Sequence, residues 1–197
     1  MSFHNPSRSG GLRRHFVIWV LPMLPLYGCS VQQSYLEKNF PPDFVSKARS
    51  NFDVDVTDWD ILANQTIPKR ARLVFHGESG VSSDVQAFCR DKLVKNLMSR
   101  GIEIDPNVPA ELIVCIVRAS EIRKPVRRAK VRIAVKLSLN EGAEIVFQGI
   151  ADGIESRPDL SEGVWMPKSS YLRASQQAIS KFIRQLDNIT KTTPSSR

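Results

Sequence analysis

The residues from Leu112 to Val117 form an unbroken apolar run, and most of them are β-branched. A short run of that kind suits a strand buried on both of its faces. Its neighbours build a sheet around it. Val131, Ile133, Val135, Leu137 and Leu139 alternate with Arg132, Ala134, Lys136 and Ser138, the period of a strand with one greasy and one wet face. Asn140, Glu141 and Gly142 have the composition of a hairpin loop, and 144–151 returns as the partner strand. Upstream, Arg72 to His76 reads as a strand and 77–80 as a turn.

Two helices complete the pattern. The first is expected over Asp84 to Arg100, capped by Ser83 with Gln86 closing a capping box. Val85, Phe88, Cys89, Leu93, Leu97 and Met98 form its apolar stripe. Gly101 follows as a left-handed stop. The second is expected over Ser170 to Asn188, burying Leu172, Ile179, Phe182, Ile183 and Leu186. Consecutive strands with helices among them predict an α+β fold: a two-layer sandwich, mostly antiparallel sheet with two helices on one face. The domain is expected over 71–189, with a flexible tail at 190–197.

The segment before it reads differently. Met1 to Arg14 carries Arg8, Arg13 and Arg14 and no acid, and Phe16 to Leu26 is almost wholly apolar. A basic leader and a short greasy core describe a secretory signal peptide. The core is about 11 residues, roughly 17 Å as a helix, short of the ~20 residues of a bilayer span. Pro22 and Pro25 further disfavour one long helix. Leu26, Tyr27, Gly28 and Cys29 then resemble the lipobox of bacterial envelope lipoproteins, with Tyr27 where that family usually has a small residue. The resemblance implies cleavage after Gly28 and acyl chains on Cys29, which anchor through buried CH₂ groups at roughly 0.8 kcal/mol each. It also implies that Ser30 directs the protein to the outer membrane, facing the periplasm. An ordinary cleaved signal and an uncleaved anchor are the other readings. Residues 29–70 are expected to be a lipid tether and loosely structured lead-in, with a short helix near 43–50 and a strand over 51–60. The element order over 72–186 is similar to that of small periplasmic domains, such as the lipopolysaccharide-assembly lipoprotein and the N-terminal domain of the Tol-system propeller protein.

Removing 28 residues from 197 leaves one domain's worth of chain. The whole chain is +8, and with three cations in the leader the rest is +5. This balance and an exported address argue against a nucleic-acid partner. Cys89 and Cys115 lie in apolar patterns that suit buried free thiols, and a disulfide is the alternative.

Catalytic signals are sparse. His76 is the single histidine outside the leader, too few for a triad or a zinc site with these cysteines. No phosphate-binding glycine loop occurs, so no enzyme activity, cofactor or metal is expected. Asp53, Asp55, Asp58 and Asp60 read as a solvated acidic edge, because no glycine turn lets them converge on calcium. The strongest electrostatic feature is Arg118, Arg123, Lys124, Arg127, Arg128, Lys130 and Arg132, against one acid, Glu121. With Pro125 at its centre, this stretch reads as a loop. Guanidinium groups there suit an anion or an acidic partner; a gatekeeping hairpin tip is the other reading. The expected function is a lipid-anchored structural or assembly component that docks on an envelope protein. The alternative is a module binding lipopolysaccharide, phospholipid headgroups or an anionic glycan through this loop.

Overall fold

A computed structural model describes residues 34–61, 66–124, 126–140, 144–160 and 164–192. Its elements are α1 (Tyr35–Asn39), α2 (Pro42–Ala48), β1 (Thr57–Ile61), β2 (Arg70–Gly77), α3 (Ser83–Met98), β3 (Glu103–Ile104), β4 (Glu111–Ile122), β5 (Arg128–Leu139), β6 (Glu144–Ser156) and α4 (Lys168–Thr192). The strands form one six-stranded sheet in the order β1-β6-β5-β4-β2-β3. The β1–β6, β6–β5 and β5–β4 pairs are antiparallel. Strand β2 joins β4 and β3 in parallel, because α3 carries the chain back across the sheet, as a parallel pair requires.

The sequence places the centre of this α+β fold well. Leu112 to Ile116 are buried, Leu112, Val114 and Ile116 on one face, Ile113 and Cys115 on the other. Helices α3 and α4 cover the first face. In α3 the stripe is Val85, Cys89, Leu93 and Leu97, while Phe88 is half-buried and Met98 exposed. Its cap is Ser82, one residue before the expected Ser83, and the Ser82 Oγ accepts the Val85 N–H at 3.4 Å. The Gln86 side chain closes no capping box; it donates to the Val81 carbonyl at 2.9 Å. Gly101 takes the expected left-handed turn, φ 73°, and the Ile102 N–H reaches back to the Leu97 carbonyl at 3.0 Å, the six-to-one bond of a Schellman stop.

Helix α4 is longer than its apolar stripe suggests, and it lies close to the sheet because its contact residues are small. Ala174 and Ala178 are fully buried beside Ile179, Phe182 and Ile183. They face Gly153, where an added Cβ would collide with the α4 backbone at Ala174 and Ala178. Leu172, expected in the stripe, is only partly buried.

A strand buried on both faces needs a second cover, and the lead-in supplies it. Leu36, Phe40, Val45 and Ala48 are buried against Ile113, Cys115, Ala134 and Ile150. Helix α1, absent from the sequence reading, begins with a capping box. Glu37 N–H donates to Ser34 Oγ at 3.2 Å and Ser34 N–H to Glu37 Oε2 at 3.0 Å. The expected strand over 51–60 forms only from Thr57; Phe52 is buried in the turn before it, and Val54 is exposed. Residues 34–56 are thus a second layer on the sheet, and 57–61 join the sheet itself as β1. Cys29 and the rest of the leader lie outside the described residues. Among those described, no helix is long and apolar enough to cross a membrane.

Candidate functional site

The seven cations from Arg118 to Arg132 do not share a loop. Strands β4 and β5 continue as a two-stranded ribbon that pairs Arg118 with Arg132, Ser120 with Lys130 and Ile122 with Arg128. Only 123–127 turns. A bulge between Ile116 and Arg118 lets Val117 and Arg118 together oppose Arg132. The cations therefore have three separate situations.

Lys130 and Arg132 are completely buried, on the face covered by the lead-in. Their partner is Asp152 on β6, also fully buried and in register with Arg132. The guanidinium grips it with two parallel bonds, Nε to Oδ1 at 2.7 Å and Nη2 to Oδ2 at 2.8 Å. Nη1 donates to the carbonyls of Ala48 (3.2 Å) and Ser50 (3.0 Å), and Nη2 to that of Val54 (3.0 Å). Every N–H of Arg132 is used. Lys130 Nζ reaches the Val54 carbonyl at 2.8 Å, Asp55 Oδ1 at 2.9 Å and Asp152 Oδ2 at 3.0 Å. The Val56 N–H completes Asp152 at 2.8 Å. Phe52 is centred among three cations, Arg118 at 4.7 Å, Lys130 at 5.1 Å and Arg132 at 5.3 Å from its ring centroid. This network fastens 48–56 to the sheet. Both expected anion-binding residues are committed to the fold.

Arg127 and Arg128 are partly buried. Arg127 Nε donates to Glu121 at 2.6 Å; Arg128 Nε is buried without a hydrogen-bond partner. Arg118, Arg123 and Lys124 are exposed. Arg118 faces a groove of about 260 Å³ that Arg49, Phe52, Glu78 and Arg132 also line. Arg49 is paired there with Glu37 and donates to Ser34 Oγ at 2.6 Å. The sequence reading missed Asp152, Phe52 and Arg49. The one available signal was Asp152, a charge set between Ala151 and Gly153 in a strand.

Other titratable groups lie in or beside the second layer and on the opposite face of the sheet. Glu78 Oε1 accepts the Leu36 N–H at 2.8 Å and lies 3.8 Å from the Cys115 thiol, so it holds α1 to β4. Lys136 donates to the Asn39 carbonyl and lies over the Phe40 ring at 5.6 Å. Burial lowers its pKa, and Glu111 partly opposes the shift. His76 is exposed at the end of β2 and stacks on Tyr35 at 4.5 Å. Cys89 and Cys115 are free and buried on opposite faces of the sheet. Burial pushes the Cys89 thiol up to about 11. Burial first, then the Glu78 carboxylate, pushes Cys115 further up. Both are inert thiols at neutral pH. Asp55 pairs with Lys130 and Asp58 with Lys47. Among the described residues no group of three or more His, Cys, Asp and Glu is placed to hold a metal.

No protein-family model matches the chain, and no curated protein matches it. Solved structures similar to it include the PelC dodecamer from Paraburkholderia phytofirmans, with 9% identity over 64% of this chain and 97% of that one, TM-score 0.43. Lipoprotein GNA1162 from Neisseria meningitidis has 12% identity over 61% and 99%, TM-score 0.43. A minor lipoprotein from Acinetobacter baumannii has 11% identity over 61% and 93%, TM-score 0.42. Likeness at this level assigns the chain no role.

Proposed function

We propose that this chain is an envelope lipoprotein, held in the outer membrane by acyl chains on Cys29, and that its folded part is a docking or assembly component without an active site. The observation that carries this reading is a spacing. The lipobox-like residues end at Cys29, and the described residues begin at Ser34, which caps α1, with Leu36 fully buried. Five residues reach at most about 18 Å when fully extended. Acyl chains on Cys29 would hold the domain against the bilayer, where it meets other membrane-bound components. The same reading assigns the buried charges to architecture, since Lys130 and Arg132 spend their donors on the fold.

Metabolic labelling with a clickable fatty acid tests the anchor. The wild-type chain should take the label and Cys29→Ala should not; equal labelling of both, or of neither, contradicts it. Crosslinking in intact envelopes tests the docking role. A discrete adduct with another envelope protein supports it, and adducts that stay absent from crosslinkers placed over the whole exposed surface count against it.

A further inference from the structure

Trp165 has the most exposed large apolar side chain among the described residues, at 79%, and its neighbour Val164 is 46% exposed. Water contact on that scale is unusual for tryptophan. The topology brings a second apolar residue and several cations to the same end. The β6–α4 connection is tied to the β4–β5 turn by the Arg157 N–H, which donates to the Arg127 carbonyl at 2.9 Å. That turn exposes Val126, Arg123 and Lys124. The first residue of α4, Lys168, pairs with Asp84 at the start of α3. Among the described residues, the acids here, Asp84, Glu121 and Asp159, are each matched by a cation, and Arg123 lies 3.9 Å from Glu121 in the exposed turn.

The chain also enters the domain at this end. Leu36 is bonded to Glu78, in the turn that follows β2. Strand β2 stops where Gly77 pairs with Ile116, and β4 continues to Ile122. At about 3.3 Å per residue the ribbon projects roughly 20 Å further.

We infer that this end of the domain lies in the headgroup layer of an anionic bilayer, with Trp165 at the interface and Arg123 and Lys124 on lipid phosphates. The orientation rests on the lipid-anchor reading above. Tryptophan favours the membrane–water boundary because its ring is apolar and its N–H is polar. Lysine and arginine beside it are drawn to the anionic surface. The acyl chains would hold both against that surface, so no high intrinsic affinity is needed.

The test uses the full chain carrying Trp19→Phe, which leaves Trp59 and Trp165 as its tryptophans, in phosphatidylethanolamine–phosphatidylglycerol vesicles that carry brominated acyl chains, which quench nearby tryptophan. Emission of this parent should be quenched, and adding Trp165→Phe should remove most of that quenching, because Trp59 is packed near Phe182. Quenching unchanged by Trp165→Phe overturns the proposal. So does a blue shift of Trp165 that grows with protein concentration without vesicles, which would put a second copy on the patch. Fatty-acid labelling of the same preparation separates the two readings. Labelled chain with unquenched Trp165 keeps the anchor and sinks the proposal; unlabelled chain with quenched Trp165 does the reverse. In a Cys29→Ser background, replacing Arg123 and Lys124 with Ser should weaken binding to phosphatidylglycerol vesicles by about 5- to 30-fold at low salt. Equal binding by both forms would remove the two cations from the contact.

Discussion

The two faces of the sheet are held by different physics. The face under α3 and α4 is mostly apolar, with Val131, Ile133, Val135 and Leu137 meeting Leu93, Leu97, Phe182 and Ile183. The face under the lead-in is half apolar and half ionic. Leu36, Phe40 and Val45 pack near β4, and the Lys130–Asp152–Arg132 network takes over near β6. The first face is stabilised by burial, which tolerates small errors of placement. The second depends on each buried charge meeting its partner, because a buried ion left without one costs about 3–5 kcal/mol. The difference teaches that a polar strand face is no guarantee of solvent.

The sharpest way to break this comparison is Asp152→Ala. It leaves Arg132 buried without its carboxylate and Lys130 with Asp55 alone, and should cost about 3–5 kcal/mol, read from the denaturation midpoint. A loss below about 1 kcal/mol would mean that water reaches Lys130 and Arg132, and that the second face is open.

Next in size is a matched pair. Leu93 on the first face and Leu36 on the second are both essentially inaccessible. Truncating either to Ala should cost about 2–5 kcal/mol. If Leu93→Ala is destabilising and Leu36→Ala is not, residues 34–40 are a loose tether rather than a layer.

Smallest is the surface set, which sharpens the contrast within one stretch of sequence. Replacing Arg118, Arg123 and Lys124 with Ser should change stability by no more than about 0.5 kcal/mol per site, since all three are exposed. Arg132→Ser, in the same stretch, should resemble Asp152→Ala. Equal effects at Arg118 and Arg132 would contradict the ribbon.

The first face was legible in the sequence because its residues declare themselves locally. A period of two in β5 and of about four in α3 assigns the inward positions without knowledge of the partner: Ile133 and Leu97 are where the pattern puts them. The second face was not. Lys130 and Arg132 alternate with apolar residues as solvent-facing side chains do, and their burial is decided by Asp152, twenty residues beyond Arg132 on the next strand. Register is a long-range property that local composition does not carry. The ribbon reads as a loop for a related reason, since charged residues paired across two strands look like turn residues in one dimension. Helix α1 did leave a trace, with Ser34 and Glu37 at capping-box spacing. Ala174 and Ala178 left none, because an alanine that permits close approach to Gly153 is indistinguishable from an indifferent one.

Native-state hydrogen exchange of the Leu36 and Val56 amides tests the difference between the two faces most directly. Both donate to buried or half-buried carboxylates, Leu36 to Glu78 and Val56 to Asp152. In wild type they should exchange slowly, comparably to amides in the sheet. In Asp152→Asn, Val56 should lose more protection than the amides of 131–137. Rapid exchange at Leu36 and Val56 in the wild-type protein, beside a protected sheet, would contradict a lead-in that is part of the fold.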